Sequence, residues 1–276
     1  MTPKSDNDLA SFQEMEKSGW TEKAHTYDDY LGLVTKDAIG PMLDAVGAVR
    51  GTRLLEVACG PGYGAGLAAA RGVNAAGIDF APTMVEEAHK RFPDADFREG
   101  DAEALDFGDA SFDAVICPFG MLHFPTPENA ISEAARVLKP GGRYAFTVWC
   151  TPDKARLFGI ILDAIEAHGN TDVPLPSAPP FFRFSDHETC RNALAEEGFA
   201  GIEISELPLT LSIDAPEVVL DVIYKSTVRT AALLKLQTET ARENIHAAIV
   251  GTVRDFAADE GFVIPAPVVL AAATKS

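Results

Sequence analysis

The sequence predicts an α/β protein of the doubly wound kind, a mainly parallel sheet with helices on both faces. Three observations support this. Apolar runs of strand length alternate with amphipathic runs of helix length from Arg53 to Trp149. The first strand-to-helix junction, "LLEVACGPGYG" at residues 54–64, carries glycine at positions 60, 62 and 64. A chain of 276 residues, 47% hydrophobic and 23% charged, can bury a sizeable core. Strands alternating with helices imply right-handed crossovers, and ligands then lie beyond the carboxyl ends of the strands.

Taken in order, residues 1 to about 30 show no sustained periodicity, and "TKDAIGPMLDAVGA" then reads as a leading helix in which Pro41 marks a break or restart. "RLLEVAC" is a strand, and "GAGLAAARG" a helix closed by Gly72. "NAAGIDF" is the next strand, and "APTMVEEAHKRF" a helix stopped before Pro93. "ADFREG" and "SFDAVIC" are short strands, "PENAISEAARVL" is an amphipathic helix ended by "KPGG", and "RYAFTVW" is β-rich. Beyond Trp149 the pattern changes. "TPDKARLFGIILDAIEAHG" reads as a helix and "NTDVPLPSAPPFFRF" as a proline-rich loop, inserted material over about 151–184. "SDHETCRNALAEEGF" is a helix with a capping box from Ser185 to Glu188, followed by strand-like "GIEISELPLTLS". Helical stretches around 215–235 and 237–258 precede the apolar run "PAPVVLAAAT".

Charge and composition narrow the function. A formal charge of −18 repels polyphosphates, and the sequence contains no block of Lys and Arg, which points away from nucleic acid and toward a small-molecule partner. The polar amino-terminal segment "MTPKSDNDLASFQEMEKSG" lacks the apolar core of a signal peptide and the Arg-rich character of a transit peptide, so a cytoplasmic protein is expected. Runs such as "LFGIILDAI" are interrupted by an acid long before the roughly 20 residues of a membrane span. Cys59, Cys117, Cys150 and Cys190 form no C-x-x-C pair and read as buried free thiols.

The glycine-rich junction has a physical use. Glycine lets the chain turn sharply and lets a ligand approach the backbone, while the following helix offers free N–H groups and a partial positive charge. The pattern Gly60-x-Gly62-x-x-Ala65 also satisfies a dinucleotide fingerprint, with Asp79 near the ribose position, so a nicotinamide-dependent oxidoreductase is a live alternative. Pro61, which removes an N–H, and the polar cluster "EGDAEAL" at the end of the third strand weigh against it.

Four linked segments, "LLEVACGPGYG", "AAGIDFAPTMVEEAHKRF", "FREGDAEALDFGDASFDAVIC" and "EAARVLKPGGRYAFTVW", resemble in order and spacing the class I S-adenosylmethionine-dependent methyltransferases. The sequence is most similar to the small-molecule branch that includes the ubiquinone and menaquinone C-methyltransferases, closely over about residues 50–150. The resemblance implies one methyltransferase domain over residues 1–276: a Rossmann-like three-layer α/β/α fold with a seven-stranded sheet of order 3-2-1-4-5-7-6. Its last strand runs antiparallel, its terminal strands form a hairpin at the sheet edge, and helical caps lie at about 151–184 and 215–258.

The same resemblance implies S-adenosylmethionine as cofactor and assigns its contacts. Glu56, Ala58, Gly60 and Gly62 surround the methionine end, and Asp79 accepts both ribose hydroxyls. Phe80 and Met84 flank the adenine, Asp101 receives its exocyclic amine, and the Ala102 N–H meets a ring nitrogen, with Glu103 left to solvent. Cys117, Pro118 and Met121 line the sulfonium, although ordinary packing explains Met121 equally well. Trp20, His25, Tyr27 and Tyr30 belong to a segment that folds over the cofactor, with Tyr27 or Tyr30 touching cofactor or acceptor and Tyr30 taken as a cofactor contact; surface helix residues are the alternative.

Methyl transfer is an in-line displacement that needs a base only when the acceptor must lose a proton. His123 in "GMLHF" is the candidate base, or else a hydrogen-bonded wall of the pocket. "CPFG" departs from the Pro-Pro-aromatic pattern of nucleic-acid amino-methyltransferases, and Cys117 precedes its proline where cytosine carbon methyltransferases have the reverse order. "CPFGMLHFPT" lacks the clustered carboxylates of the metal-dependent catechol type, so no metal is expected. Phe181, Phe182 and Phe184 either line an aromatic acceptor pocket or pack the cap. A cofactor-binding protein without transfer activity is the non-enzyme alternative.

Overall fold

A computed structural model describes residues 6–276; the first five residues of the polar amino-terminal segment lie outside it. The chain opens with helix α1 (Asp6–Lys23), where the sequence shows no periodicity. The reason is visible in its buried face: Phe12, Glu16 and Lys23 are all buried, and two of the three are charged. An apolar stripe cannot be read where a helix buries ions. A single turn, α2 (Gly32–Thr35), leads into α3 (Ile39–Ala45), whose first turn holds Pro41, a position where the missing N–H is not needed.

The alternating region then unfolds as expected: β1 (Arg53–Val57), α4 (Tyr63–Ala70), β2 (Asn74–Asp79), α5 (Pro82–Arg91), β3 (Asp96–Glu99), β4 (Phe112–Pro118), α6 (Pro127–Val137) and β5 (Leu138–Trp149). Residues 54–57 of β1 are all buried, the signature of a central strand covered on both faces. Helix α7 (Arg156–His168) and a long loop lead to α8 (His187–Glu196) and β6 (Phe199–Leu207). The cap α8 uses is Asp186, which accepts from the Thr189 N–H at 2.8 Å, and not Ser185, whose hydroxyl donates to the Phe182 carbonyl. The N-cap therefore lies one residue beyond the expected one, and Thr189 at the third helical position takes no part in a reciprocal box.

The "GIEISELPLTLS" run breaks at Pro208 into β6 and a separate strand, β7 (Thr210–Ile213). Three helices follow where two were expected, α9 (Val218–Ser226), α10 (Arg229–Lys235) and α11 (Glu239–Val253), and the chain ends in β8 (Phe262–Pro265) and β9 (Val268–Lys275). The main sheet has seven strands in the order β3-β2-β1-β4-β5-β9-β6, with β9 antiparallel to both neighbours. In chain order that is the expected 3-2-1-4-5-7-6. The edge pair β6 and β9 is not a tight hairpin, however: residues 208–267 intervene, and within them β7 and β8 pair as a second, two-stranded sheet. No described helix is long and apolar enough to cross a membrane.

The strand order reverses between β1 and β4, which splays the chain on either side of that seam and opens a crevice at their carboxyl ends. The roof of the crevice comes from α1 to α3, and the cap of α7 and α9 to α11 stands beside it.

Candidate active site

β1 delivers its chain into a loop that is left-handed at Ala58, Gly60 and Gly62 (φ +52°, +50° and +83°). For Ala58 that conformation costs on the order of 1–3 kcal/mol, strain of the sort concentrated at ligand sites. The glycines serve different ends. A Cβ at Gly60 would meet nothing, because the position opens into the crevice. At Gly62 it would strike Phe97 and Ala88, and at Gly64 the Glu56 carboxylate, so those two permit close packing beneath the loop.

Glu56 is 1% exposed and accepts from the N–H groups of Gly64 (3.0 Å) and Ala65 (2.7 Å), capping α4, whose N-cap Gly62 has no side chain to do so. Burial drives its carboxyl up to about 8 although both N–H bonds pull the other way. Asp79 closes β2 in the same manner: one oxygen accepts from Gly60 N (2.8 Å) and the other from Ala81 N (2.9 Å). Burial raises it to about 6, with those two bonds opposing. Each Asp79 oxygen keeps a free lone pair beside the crevice.

Across the seam, β4 ends at Pro118, and Phe119 is left-handed (φ +55°), its N–H held by Thr147 of β5. Gly120 lets this turn pack on Ala58 and the Cys117 sulfur. Two strained turns thus face one another over the strand ends.

The cavity between them has about 670 Å³ of space, mouth included, and is lined by Glu56, Ala58, Gly60, Asp79, Phe80, Met84, Pro118 and His123 of the expected residues. A smaller adjoining cavity contains Asp101 and Ala102 and shares Ala58, Phe80 and His123 with the first. Gly62, Cys117, Met121 and Tyr30 line neither. Cys117 is fully buried, its thiol pushed up to about 12 by desolvation, and the Met121 sulfur accepts from the Tyr144 hydroxyl at 3.5 Å in the core. Tyr30 turns away to α9, where its hydroxyl meets Asp221 and Lys225. Glu103 is half-buried and tethered: it accepts from Thr126 N, lines the smaller cavity, and burial lifts it to about 7.

Sequence reasoning places Trp20 and Tyr27 over the site but misses the rest of the roof. Trp20 and Tyr27 do face the main cavity, edge to face at 5.6 Å, and are joined by Thr35, Lys36 and Ile39. Gln13 donates to Asp101 (3.0 Å), and the buried Glu16 accepts from both Trp20 Nε1 (3.0 Å) and His123 Nδ1 (2.9 Å). No local pattern signals these contacts, since they join α1 to loops some hundred residues away. Tyr63, also a cavity residue, was within reach because it sits inside the glycine motif.

A third cavity lies under the cap, lined by Leu31, Leu122, Trp149, Phe158, Phe181 and Arg229, and it shares Trp20 and His123 with the crevice. Phe184 packs on Phe146 in the core and Phe182 against Phe158, so the phenylalanine cluster divides between packing and cavity wall. All four cysteines are buried free thiols. Among the described residues no group of three or more His, Cys, Asp or Glu is placed to hold a metal ion.

The donor set suits a nucleoside with an amino-acid tail: a carboxylate with free acceptor pairs, an open left-handed loop, apolar side chains at Phe80 and Met84. It suits a pyrophosphate poorly, because the amino end of α4, where such a group would sit, already holds the Glu56 carboxylate.

Comparison with known proteins agrees. The family described as "Methyltransferase domain" matches residues 55–146. A demethylmenaquinone methyltransferase of Renibacterium salmoninarum is 33% identical over 60% of this chain and 74% of its own length. Further demethylmenaquinone methyltransferases are matched over 44% to 51% of theirs. Among solved structures, the YcgJ protein of Bacillus subtilis is similar with a TM-score of 0.58 at 20% identity, over 87% of this chain and 98% of that one. A phosphoethanolamine N-methyltransferase of Haemonchus contortus, solved with S-adenosylhomocysteine, gives 0.53 at 18%, over 87% and 52%. Seven-stranded topology, the Glu56 and Asp79 loops and a relative aligned over three quarters of its length converge: the chain belongs to the class I S-adenosylmethionine-dependent methyltransferase family.

Proposed function

We propose that this protein transfers the methyl group of S-adenosylmethionine to a small-molecule acceptor. The observation that carries the reading is Asp79: a buried carboxylate, pinned by two backbone N–H groups, whose remaining acceptor pairs border a cavity opening directly onto Gly60. A vicinal diol is the partner such a group is shaped to take, since a carboxylate only accepts.

S-adenosylmethionine supplies a methyl group on a positively charged sulfur. This chain's residues bind and orient it. Asp79 holds the ribose, Phe80 and Met84 bracket the base, and Asp101 and the Ala102 N–H address the edge of the base. Ala58 and Gly60 present the main chain to the amino-acid tail, with Glu56 behind them keeping the loop in shape. Pro118 and Phe119 bound the sulfur's side of the cavity. Exclusion of water falls to Trp20 and Tyr27. The acceptor lies toward the cap cavity, where Trp149, Phe158 and Phe181 offer aromatic walls and Trp20 and His123 line both that cavity and the crevice. Similarity to a demethylmenaquinone methyltransferase and to a ubiquinone biosynthesis O-methyltransferase supports an acceptor with an apolar ring. Neither a nicotinamide-dependent oxidoreductase nor a mere binding protein is favoured by these relatives.

Calorimetric titration separates the readings. S-adenosylhomocysteine is expected to bind and NADH not to; binding of NADH alone would end the methyltransferase reading. Release of S-adenosylhomocysteine across a panel of ring-bearing acceptors then tests transfer, and inactivity on every class would leave a binding role.

A further inference from the structure

Glu16 is 0% exposed, and among the described residues its Oε1 has no hydrogen-bond partner. Burying a carboxylate so incompletely satisfied is unfavourable unless something is gained from it. Its other oxygen, Oε2, receives two ring nitrogens at once, Trp20 Nε1 at 3.0 Å and His123 Nδ1 at 2.9 Å. Indole N–H only donates, so Oε2 is an acceptor, and the imidazole must present Nδ1–H to the same oxygen. The Trp20 ring also stands edge to face against His123, with centroids 5.0 Å apart. Held from two sides, His123 is left with Nε2 as the nitrogen bearing a free electron pair.

His123 occupies a singular place. It lines the main cavity, the cavity of Asp101 and the cap cavity, and so stands where a methyl donor and an acceptor would meet. Glu16 of α1 holds its ring, and the cavities it lines also carry Lys36, Glu56, Asp79, Asp101, Glu103 and Arg229.

We infer that Glu16 and His123 form a proton-accepting pair, with His123 the catalytic base and Glu16 its positioning residue, and that the acceptor is a phenol or enol. The inference rests on the methyltransferase reading above and names the acceptor chemistry of that site. As the O–H proton passes to His123 Nε2, the electron pair released at the acceptor oxygen, or at the carbon conjugated with it, forms the new bond to the methyl carbon. The S–C bond breaks with its pair returning to sulfur. The sulfonium charge disappears as the imidazolium charge appears, so the cavity beside Glu16 and Asp79 keeps its cation throughout, and the proton later leaves to water. An amine acceptor would not need the device, because its neutral form already has a free pair. An alkyl alcohol holds its proton too firmly for an imidazole.

The test combines nitrogen-15 NMR of the histidine rings in the intact protein with calorimetry using S-adenosylhomocysteine as the probe. His123 is expected as the Nδ1–H tautomer in the wild type. Glu16→Leu should shift it to Nε2–H, whereas Glu16→Gln, which keeps an acceptor oxygen, should not. Both variants should bind S-adenosylhomocysteine within about threefold of wild type. A wild-type protein that ignores S-adenosylhomocysteine defeats the methyltransferase reading itself. Binding accompanied by a wild-type Nε2–H tautomer, or by a tautomer indifferent to Glu16→Leu, overturns the pair while sparing that reading; should Glu16→Leu not fold, the wild-type tautomer decides. With S-adenosylmethionine and matched panels of phenols and primary amines, turnover of phenols is expected. His123→Ala should slow it about 10²- to 10⁴-fold, and Glu16→Gln more than it alters binding. Turnover of amines alone, of no phenol, or of phenols unaffected by His123→Ala overturns the proposal.

Discussion

The floor and the roof of the crevice satisfy their buried polar groups in opposite ways. On the floor, Glu56 bonds to N–H groups 8 and 9 residues along the chain and Asp79 to groups 2 and 19 residues away. In the roof, Gln13 reaches Asp101 across 88 residues, Glu16 reaches His123 across 107, and Tyr30 reaches Asp221 across 191. The floor is built from strand ends and the turns that follow them, and holds its shape through its own segments. The roof exists only once distant parts of the chain have met. A binding surface that must be preformed is therefore placed on local bonds, and the groups that cover it on long-range ones.

Removing the floor's carboxylate should produce the largest effect. Asp79→Ala is expected to weaken S-adenosylhomocysteine binding by about 10- to 150-fold, the equivalent of about 1.5–3 kcal/mol for a hydrogen bond to a charged group, measured by calorimetry. Because Asp79 titrates near 6, wild-type affinity should fall as pH drops below about 6, and this dependence should vanish in the variant. Unchanged affinity in Asp79→Ala would remove the basis of the site.

Next comes packing beneath the loop. Gly64→Ala drives a methyl group against the buried Glu56 carboxylate and should destabilise by about 1–3 kcal/mol, read as a lower midpoint of thermal unfolding. Gly60→Ala meets no atom and should act mainly through its left-handed backbone. A loss at Gly60 equal to that at Gly64 would contradict the division of labour drawn here.

The pH dependence of stability sharpens the same comparison. Glu56 has a folded value near 8 against an ordinary 4.5, so the folded state binds its proton more tightly than the unfolded chain does. That contribution is fully present below about 4.5 and is lost as pH rises through 8. Relative to wild type, Glu56→Gln should therefore gain midpoint temperature as pH is raised from 5 to 9. A difference between the two that does not vary with pH would refute this.

The smallest effect belongs to the roof. Gln13→Ala should cost no more than about 0.5–1.5 kcal/mol and leave S-adenosylhomocysteine affinity the same or higher, since Asp101 loses a competing donor. Hydrogen exchange should find the amides of α1 less protected than those of β1 and β4, with protection of α1 rising when S-adenosylhomocysteine is added.

How much of this was legible beforehand follows the same divide. The alternation from Arg53 to Trp149, the glycine loop and Asp79 at the end of a strand were readable because strand and helix periods, turn glycines and acids at strand ends are written within single segments, whereas the strand order and the place of Glu56 came from the family resemblance. Tyr30 was assigned to the cofactor from its place in a polar-aromatic stretch, yet it packs on α9, and nothing near it in the chain announces that partner. Cys117 and Met121 follow the fourth strand as expected but face the core, because alternation along a strand end depends on where the Phe119 turn begins. The displacement of the α8 cap from Ser185 to Asp186 is of the same kind: both residues can cap, and only the backbone path decides between them.

Local chemistry in the chain was thus enough to determine a parallel sheet, its helices, the loop that turns at Gly60 and the acidic residue that closes the second strand. Helix α1, the pairing of Glu16 with His123 and the union of Trp149, Phe158 and Phe181 into one cap cavity were settled only by tertiary structure. The physical reason is range: periodicity and turn stereochemistry act over a few residues, whereas a buried charge finds its partner according to which distant surfaces the folded sheet brings together.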